Sequence, residues 1–160
     1  MTNEKIKSLP ELERLTSKLK NSGKRIVFTN GCFDLLHLGH IKLLAEAKKK
    51  GDVLVVGLNS DRSIKGLKGP SRPILCQDDR AQILAALECV DYVVVFDEPN
   101  PLNLIECIRP DVLIKGGDWE LDEVVGGNLV SSYGGEVISG PLEKGRSTQS
   151  IIETVLERFK

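Results

Sequence analysis

The chain predicts a single α/β domain in which a mainly parallel sheet of about five strands lies between layers of helices. Three observations carry this reading. Short Val-, Leu- and Ile-rich runs alternate with segments of helical spacing. The runs are continuously apolar, as strands buried on both faces are, and polar or glycine-rich segments follow them.

The elements follow in order. Leu9, Leu12, Leu15 and Leu19 fall at spacings of three and four, and Asn21-Ser22-Gly23 ends the pattern. A helix therefore starts near Pro10, whose fixed φ suits a first turn. Residues 1–23 read as a helical segment packed on a domain of residues 24–160. Arg25 to Phe28 is a short strand, Gly39 to Lys50 a helix, and Val53 to Leu58 a second strand after the Gly51-Asp52 turn. Tyr92 to Phe96 and Val112 to Ile114 are further strands, separated by helical patterns at Asp79 to Leu87 and Leu102 to Ile108. Gly134 to Ile138 supplies a last strand, and Ser147 to Phe159 a last helix with Ile151, Ile152, Val155, Leu156 and Phe159 on one face. Asn59 to Gln77, Gly116 to Glu120 and Gly140 to Arg146 read as loops; each follows a strand, so all three can gather at one edge of the sheet.

Composition narrows the function classes. At 160 residues, with 41% hydrophobic and 28% charged side chains, the chain can bury one core. Its 22 basic and 23 acidic residues leave a net charge of −1, without the broad basic field that draws a protein to nucleic acid or anionic membrane. The N-terminus lacks a signal-peptide pattern, and no apolar run approaches the roughly 20 residues that cross a bilayer. Cys32, Cys76, Cys89 and Cys107 are widely spaced, which favours a reducing, cytoplasmic setting.

The chemistry concentrates in Thr29-Asn30-Gly31-Cys32-Phe33-Asp34-Leu35-Leu36-His37-Leu38-Gly39-His40, which holds both histidines of the chain where a strand hands over to a helix. Metal ligation by His37 and His40 lacks further partners, since Cys32 and Asp34 could join only by a tight local wrap. Phosphate binding uses every residue: Gly39 removes a side chain where a bulky anion approaches, and two imidazoles stand as N–H donors beside a helix N-terminus.

This segment resembles the HxGH signature of the nucleotidyltransferase superfamily that includes the cytidylyltransferases. Within it, residues 29–34 and Gly66-Leu67-Lys68-Gly69-Pro70-Ser71-Arg72-Pro73-Ile74 are most similar to the adenylyltransferase domains of the ADP-heptose synthases. The likeness continues through Val90-Asp91, Arg109 to Trp119 and Gly145-Arg146-Ser147-Thr148. It implies a Rossmann-like three-layer fold and in-line transfer of AMP from ATP to a heptose 1-phosphate, releasing pyrophosphate, for lipopolysaccharide or related surface-glycan precursors.

The resemblance also implies site roles. His37, His40 and Lys68 are the catalytic candidates, the histidines on the triphosphate and Lys68 as a mobile phosphate clamp; a solvated charged loop is the plain alternative for Lys68. Asn30, Gly31, Cys32, Phe33 and Gly39 border the nucleotide. In Lys115-Gly116-Gly117-Asp118-Trp119, the glycines permit close backbone approach, Asp118 can accept from ribose or base, and Trp119 can cover an adenine face; a tight turn with a core tryptophan is the alternative. Arg146, Ser147 and Thr148 read as a second phosphate-binding helix start, where Ser147 also suits an N-cap. Arg72 and Arg80 are candidate substrate contacts, Arg80 alternatively pairing with Asp78 or Asp79; Asn59 and Asp61 either meet substrate hydroxyls or form a turn or cap.

No protein ligand set for a metal stands out, and Mg2+ is expected to arrive on the ATP phosphates. The expected partners are ATP, a sugar 1-phosphate and a separate upstream sugar kinase, with no nucleic acid or membrane; superfamily habit is compatible with a homo-oligomer. A cytidylyltransferase acting on glycerol 3-phosphate or a related polyol phosphate shares the HxGH turn, and a nucleotide-binding sensor that has lost catalysis is the rival from another class.

Overall fold

Strand-forming runs that are apolar on every residue must be covered on both faces, and the chain meets this with helices on each side of one sheet. The computed structural model describes residues 2–117, 119–120 and 122–160. In order, the elements are α1 (Thr2–Lys5), α2 (Leu9–Asn21), β1 (Ile26–Gly31), α3 (Leu38–Lys48), β2 (Val53–Asn59), α4 (Asp61–Lys68), α5 (Gln77–Ala86), β3 (Tyr92–Phe96), α6 (Leu102–Ile108), β4 (Val112–Gly116), α7 (Gly127–Ser132), β5 (Glu136–Gly140) and α8 (Thr148–Arg158). The five strands lie in the order β3-β2-β1-β4-β5, and every neighbouring pair is parallel. The fold is thus the Rossmann-like sandwich expected from the sequence.

Side chains divide between the faces with the period of two that a strand imposes. Val27, Leu54, Val56, Leu58, Val93, Val112 and Ile114 meet Leu43, Leu44 and Ala47 of α3 and Ala81, Leu84 and Ala85 of α5. On the other face Ile26, Phe28, Val53, Val55, Val94 and Leu113 meet Leu12 of α2, Leu104, Ile105 and Ile108 of α6, and Val130 of α7. The N-terminal segment also covers the β3 edge: Ile6 bridges Val93, and Lys7 N donates to Val93 O at 2.9 Å.

The two ends of the sheet are built differently. At the N-terminal ends, carboxylates accept from backbone N–H groups: Asp111 from Ile26 at 2.7 Å, Asp91 from Leu54 at 2.7 Å, and Asp52 from Arg25 at 2.7 Å. At the C-terminal ends the chain leaves each strand into a loop or a helix start. Strand order reverses between β1 and β4, and a ligand crevice in such a sheet opens there.

Several boundaries differ from expectation. β1 runs past Phe28 to Gly31 because Thr29, Asn30 and Gly31 stay in register with Val56, Gly57 and Leu58. β4 extends to Gly116, and β5 spans Glu136–Gly140. The segment read as a loop from Asn59 to Gln77 begins with α4, started by Ser60, whose Oγ accepts from Ser63 N at 3.1 Å, and anchored by the buried Ile64. Its polar composition and central Gly66 hide the helix from a periodicity reading. α1 and α7 carry too few apolar residues to announce themselves.

Leu12 is fully buried between the sheet and α6. Leu12→Ala is expected to cost about 2–5 kcal/mol in urea denaturation, the range for a buried leucine truncated to a cavity. An unchanged midpoint would mean that α2 contributes nothing to the core.

Candidate active site

The chain leaves β1 through an unusual backbone step. Phe33 has φ +44°, a region that bulky residues rarely enter, and its ring is buried against His40 at 5.1 Å between centroids. Ordinary chains avoid that conformation, so packing must impose it. The step turns the chain from β1 toward the start of α3.

His37 is the N-cap of α3. Its Nδ1 accepts from Gly39 N at 3.1 Å, so the proton of the neutral imidazole resides on Nε2. The need for glycine at position 39 follows. A Cβ there would lie 3.0 Å from the His37 ring, so the missing side chain makes room for His37 beside the cavity that Gly39 lines. The His37 and His40 rings stack at 3.8 Å between centroids, 29° apart.

Both imidazoles are less basic than a free histidine. Burial lowers His37, and burial, then His37 and Lys68, lowers His40 to about 4. His40 Nδ1 is buried without a hydrogen-bond partner among the described residues. At neutral pH the pair is uncharged, and each ring can present an N–H to an anion without the desolvation cost of a buried charge.

The loop after α4 is tied to β1 by Asp34. This fully buried carboxylate accepts from Arg72 Nε at 2.8 Å and from Ile74 N and Leu75 N at 2.9 Å. Burial pushes the Asp34 carboxyl up, but the Leu75 and Ile74 N–H groups and the Arg72 guanidinium outweigh it and hold the group below its ordinary value. Arg72 therefore reaches the cleft from a fixed base. Lys68 stands in the last turn of α4, with Gly69 as the C-cap, and not in an open loop.

Arg80 is placed otherwise than expected. Its side chain is buried and donates from Nε to Leu75 O at 3.0 Å, from Nη1 to Cys32 O at 2.7 Å and Asn59 O at 2.8 Å, and from Nη2 to Asp61 Oδ1 at 2.8 Å. With four of its five donors engaged by the protein, it organises the floor of the cleft and does not face substrate. Asp61 is likewise drawn toward Arg80 and lies at the start of α4. Asn59 is buried at the end of β2, with Nδ2 donating to Ser63 Oγ at 3.0 Å.

The other wall comes from β4, β5 and α8. Gly117 has φ +104° and turns the chain out of β4, and Trp119 Nε1 donates to Gly116 O at 2.7 Å. Asp118 lies outside the described residues. Ser147 caps α8, its Oγ accepting from Ser150 N at 3.0 Å, while Thr148 Oγ1 donates to Leu35 O at 3.2 Å and joins α8 to the HxGH turn. Lys42 and Glu143 pair at 2.5 Å between α3 and the β5–α8 loop.

These walls enclose a cavity of about 410 Å³, whose lining includes Asn59, Lys68, Arg72, Asn100, Trp119, Glu123 and Thr148. A second cavity, about 210 Å³, is lined by His37, Gly39, Leu43, Gly116, Pro141, Leu142, Glu143 and Arg146. Both include Asn30, Gly31, Cys32, Phe33, His40 and Lys115, so they meet at the end of β1. A third hollow joins His37, His40, Lys68 and Arg72 to Ser147, Thr148 and Gln149. Trp119 lines the large cavity, and Leu142 and Arg146 line the small one.

Sequence reasoning passed over Lys115, Asp34, Asn100 and Glu123 as site residues. Lys115 had a signal, since it immediately precedes the Gly116-Gly117 pair at a strand end. Glu123 and Asn100 had none, because their place depends on how the loops after β4 and β3 fold over the sheet.

The lowered His40 pKa makes a signed prediction. The folded protein holds His40 neutral where the unfolded chain, at 6.5, takes up a proton, so its contribution to stability is present above about 6.5 and is lost as pH falls toward about 4. Urea titrations from pH 7 to 4 are expected to show a shallower loss for His40→Asn than for the wild type. NMR titration of His40 with a midpoint near 6.5 would contradict the assignment.

The comparisons with known proteins agree with this geometry. The family model described as Cytidylyltransferase-like matches residues 28–151. The chain is 58% identical over 155 residues to the "Bifunctional protein HldE" of Geobacter sulfurreducens, covering 97% of this chain and 32% of that protein. It is 56% identical over 157 residues to the protein of the same name from Syntrophotalea carbinolica, covering 98% and 31%. The chain thus spans about a third of the length of these curated relatives. Among solved structures, the lipopolysaccharide core biosynthesis protein from Thermoplasma volcanium is 32% identical with a TM-score of 0.62, over 76% of this chain and 98% of that one. Pantoate-beta-alanine ligase from Francisella tularensis, at 20% identity and a TM-score of 0.62 over 93% of this chain and 72% of that one, shares the fold. With a family model spanning the HxGH turn, the sheet and the start of α8, the chain belongs to the cytidylyltransferase-like family.

Proposed function

We propose that this domain transfers AMP from ATP to a heptose 1-phosphate, giving ADP-heptose and pyrophosphate for surface-glycan precursors. The observation that carries the reading is the pair of cavities meeting at His40, with phosphate-directed groups on every side. The names of the HldE relatives and of the lipopolysaccharide core biosynthesis protein support the glycan setting.

In this reading an oxygen of the sugar phosphate attacks the α-phosphorus of ATP, the new P–O bond forms in line, and the bond to the β-phosphate breaks with pyrophosphate leaving. No covalent enzyme intermediate forms. The domain aligns two anions that repel each other and offsets the charge on the transferring group. His37 and His40 donate N–H bonds at the start of α3, where helix N–H groups also favour an anion. Lys68 and Arg72 supply positive charge from the α4 side, and Arg146, Ser147 and Thr148 receive phosphate oxygens at the start of α8. Asn59, Asn100 and Glu123 offer hydrogen-bonding groups to sugar hydroxyls in the large cavity.

Magnesium adds further charge neutralisation when bound across phosphate oxygens. Among the described residues no group of three or more His, Cys, Asp or Glu could hold a metal ion, and Mg2+ would be carried on the triphosphate itself. The acceptor carries a phosphate before it reaches this domain, so a sugar kinase activity must act upstream. No helix among the described residues is long and apolar enough to cross a membrane, and we place the reaction in the cytoplasm with its nucleotide substrate.

A second reading, a cytidylyltransferase for glycerol 3-phosphate, is favoured only by the description of the family model. Pyrophosphate release measured with ATP or CTP, each crossed with heptose 1-phosphate and glycerol 3-phosphate, separates the two. Turnover is expected with ATP and heptose 1-phosphate; turnover confined to CTP and glycerol 3-phosphate would remove our assignment. His40→Ala is expected to lower the productive rate by roughly 100-fold or more, as loss of one transition-state donor does, with the fold retained.

A further inference from the structure

Lys115 occupies a position that packing does not explain. It is the penultimate residue of β4, inside the sheet, where its side chain is half-buried. Lys5 and Lys48, also half-buried, find acceptors in the protein: Lys5 donates to Leu87 O and Val90 O, and Lys48 to Asp52 O and Asp91 Oδ2. Among the described residues the Lys115 ammonium has neither a carboxylate within ion-pair distance nor a side-chain hydrogen bond. Burial lowers its pKa, Cys32 raises it and Lys68 lowers it further. A desolvated ammonium without an acceptor is costly, so a ligand that supplies acceptors is the natural complement.

The place of that ligand follows from the cavities. Among the described residues, Lys115 is the one lysine or arginine bordering both the large cavity and the small one. Lys68 and Arg72 border the large cavity and the outer hollow beside Ser147 and Thr148, while Arg146 borders the small cavity and the hollow behind α8. If acceptor and nucleotide occupy the two cavities, the phosphorus under attack lies at their junction. There the non-bridging oxygens of two phosphates converge, and the geometry needs positive charge most.

We propose that Lys115 is a catalytic residue of the nucleotidyl transfer, its ammonium contacting the oxygens of the attacked α-phosphate and of the incoming sugar phosphate at the junction of the two cavities. This rests on the function proposed above and adds a division of labour. Lys68 serves the outer phosphates, whereas Lys115 serves the reacting one. Its hydrogen bonds strengthen as the phosphates close on each other, so its effect falls on turnover more than on nucleotide affinity.

The test uses Lys115→Met, which keeps the stem and removes the charge, with Lys115→Arg as the charge-restoring variant. Pyrophosphate release is measured with ATP and heptose 1-phosphate, and affinity for a non-hydrolysable ATP analogue by calorimetry. We expect kcat of Lys115→Met to fall about 100-fold, the analogue Kd to change by less than about threefold, and Lys115→Arg to recover part of the rate. Its Tm should equal or exceed that of the wild type, because a half-buried charge without a partner among the described residues has been removed. A folded Lys115→Met with wild-type kcat overturns the proposal, as does a loss confined to analogue binding or to Tm. Absence of wild-type turnover with this substrate pair, in contrast, overturns the proposed function itself and the role of Lys115 with it.

Discussion

The guanidinium of Arg80, withdrawn from water beneath the cleft, donates to the carbonyls of Cys32, Asn59 and Leu75 and to the Asp61 carboxylate. Those acceptors belong to the exit of β1, the end of β2, the loop that carries Arg72, and the start of α4. Each is a wall of the site, and one rigid planar fork sets their separation. Removing it would leave buried carbonyls without donors, which costs about 1–3 kcal/mol for each such group. The turn at Phe33, the place of Asn59 and the reach of Lys68 all depend on this node.

On that floor the electrostatics are arranged in two tiers. The histidines at the centre are neutral, His37 kept so by burial and His40 by burial and by the proximity of His37 and Lys68. The permanent charges stand around them, with Lys68 and Arg72 on one side and Lys115 on the other. In the function we propose, an anion entering this site meets N–H donors at the histidines and cations on either side. Asp34, the buried carboxylate nearest the site, is neutralised by Arg72 and two backbone N–H groups and does not oppose it.

Much of the fold was legible from the chain. The continuous apolar runs at Val53, Tyr92 and Val112 announced strands buried on both faces, and the leucine spacing announced α2. α4 was not legible, since a helix carrying Asp61, Arg62, Lys65, Gly66 and Lys68 owes its stability to the Ser60 cap and one buried Ile64. The family-like stretches around Asp91 and Asp111 divide in a way that motif matching does not reveal: both aspartates cap strand starts at the end of the sheet opposite the cleft. Arg80 belongs with them as a structural residue, although its sequence context resembles a substrate contact.

By itself the sequence determined the layered architecture and the handover from strand to helix at His37 to His40, the turn to which we assign phosphate binding. It could do so because strand burial, helix periodicity and capping are local properties, written within a few residues of one another. Tertiary structure alone decided that Gly39 makes room for His37, that Arg80 is buried while Lys115 is left without an acceptor among the described residues, and that two cavities meet at the end of β1. Those outcomes turn on side chains from strands and loops distant in sequence sharing one small volume. Only the parallel ordering of the sheet brings their ends to the same edge.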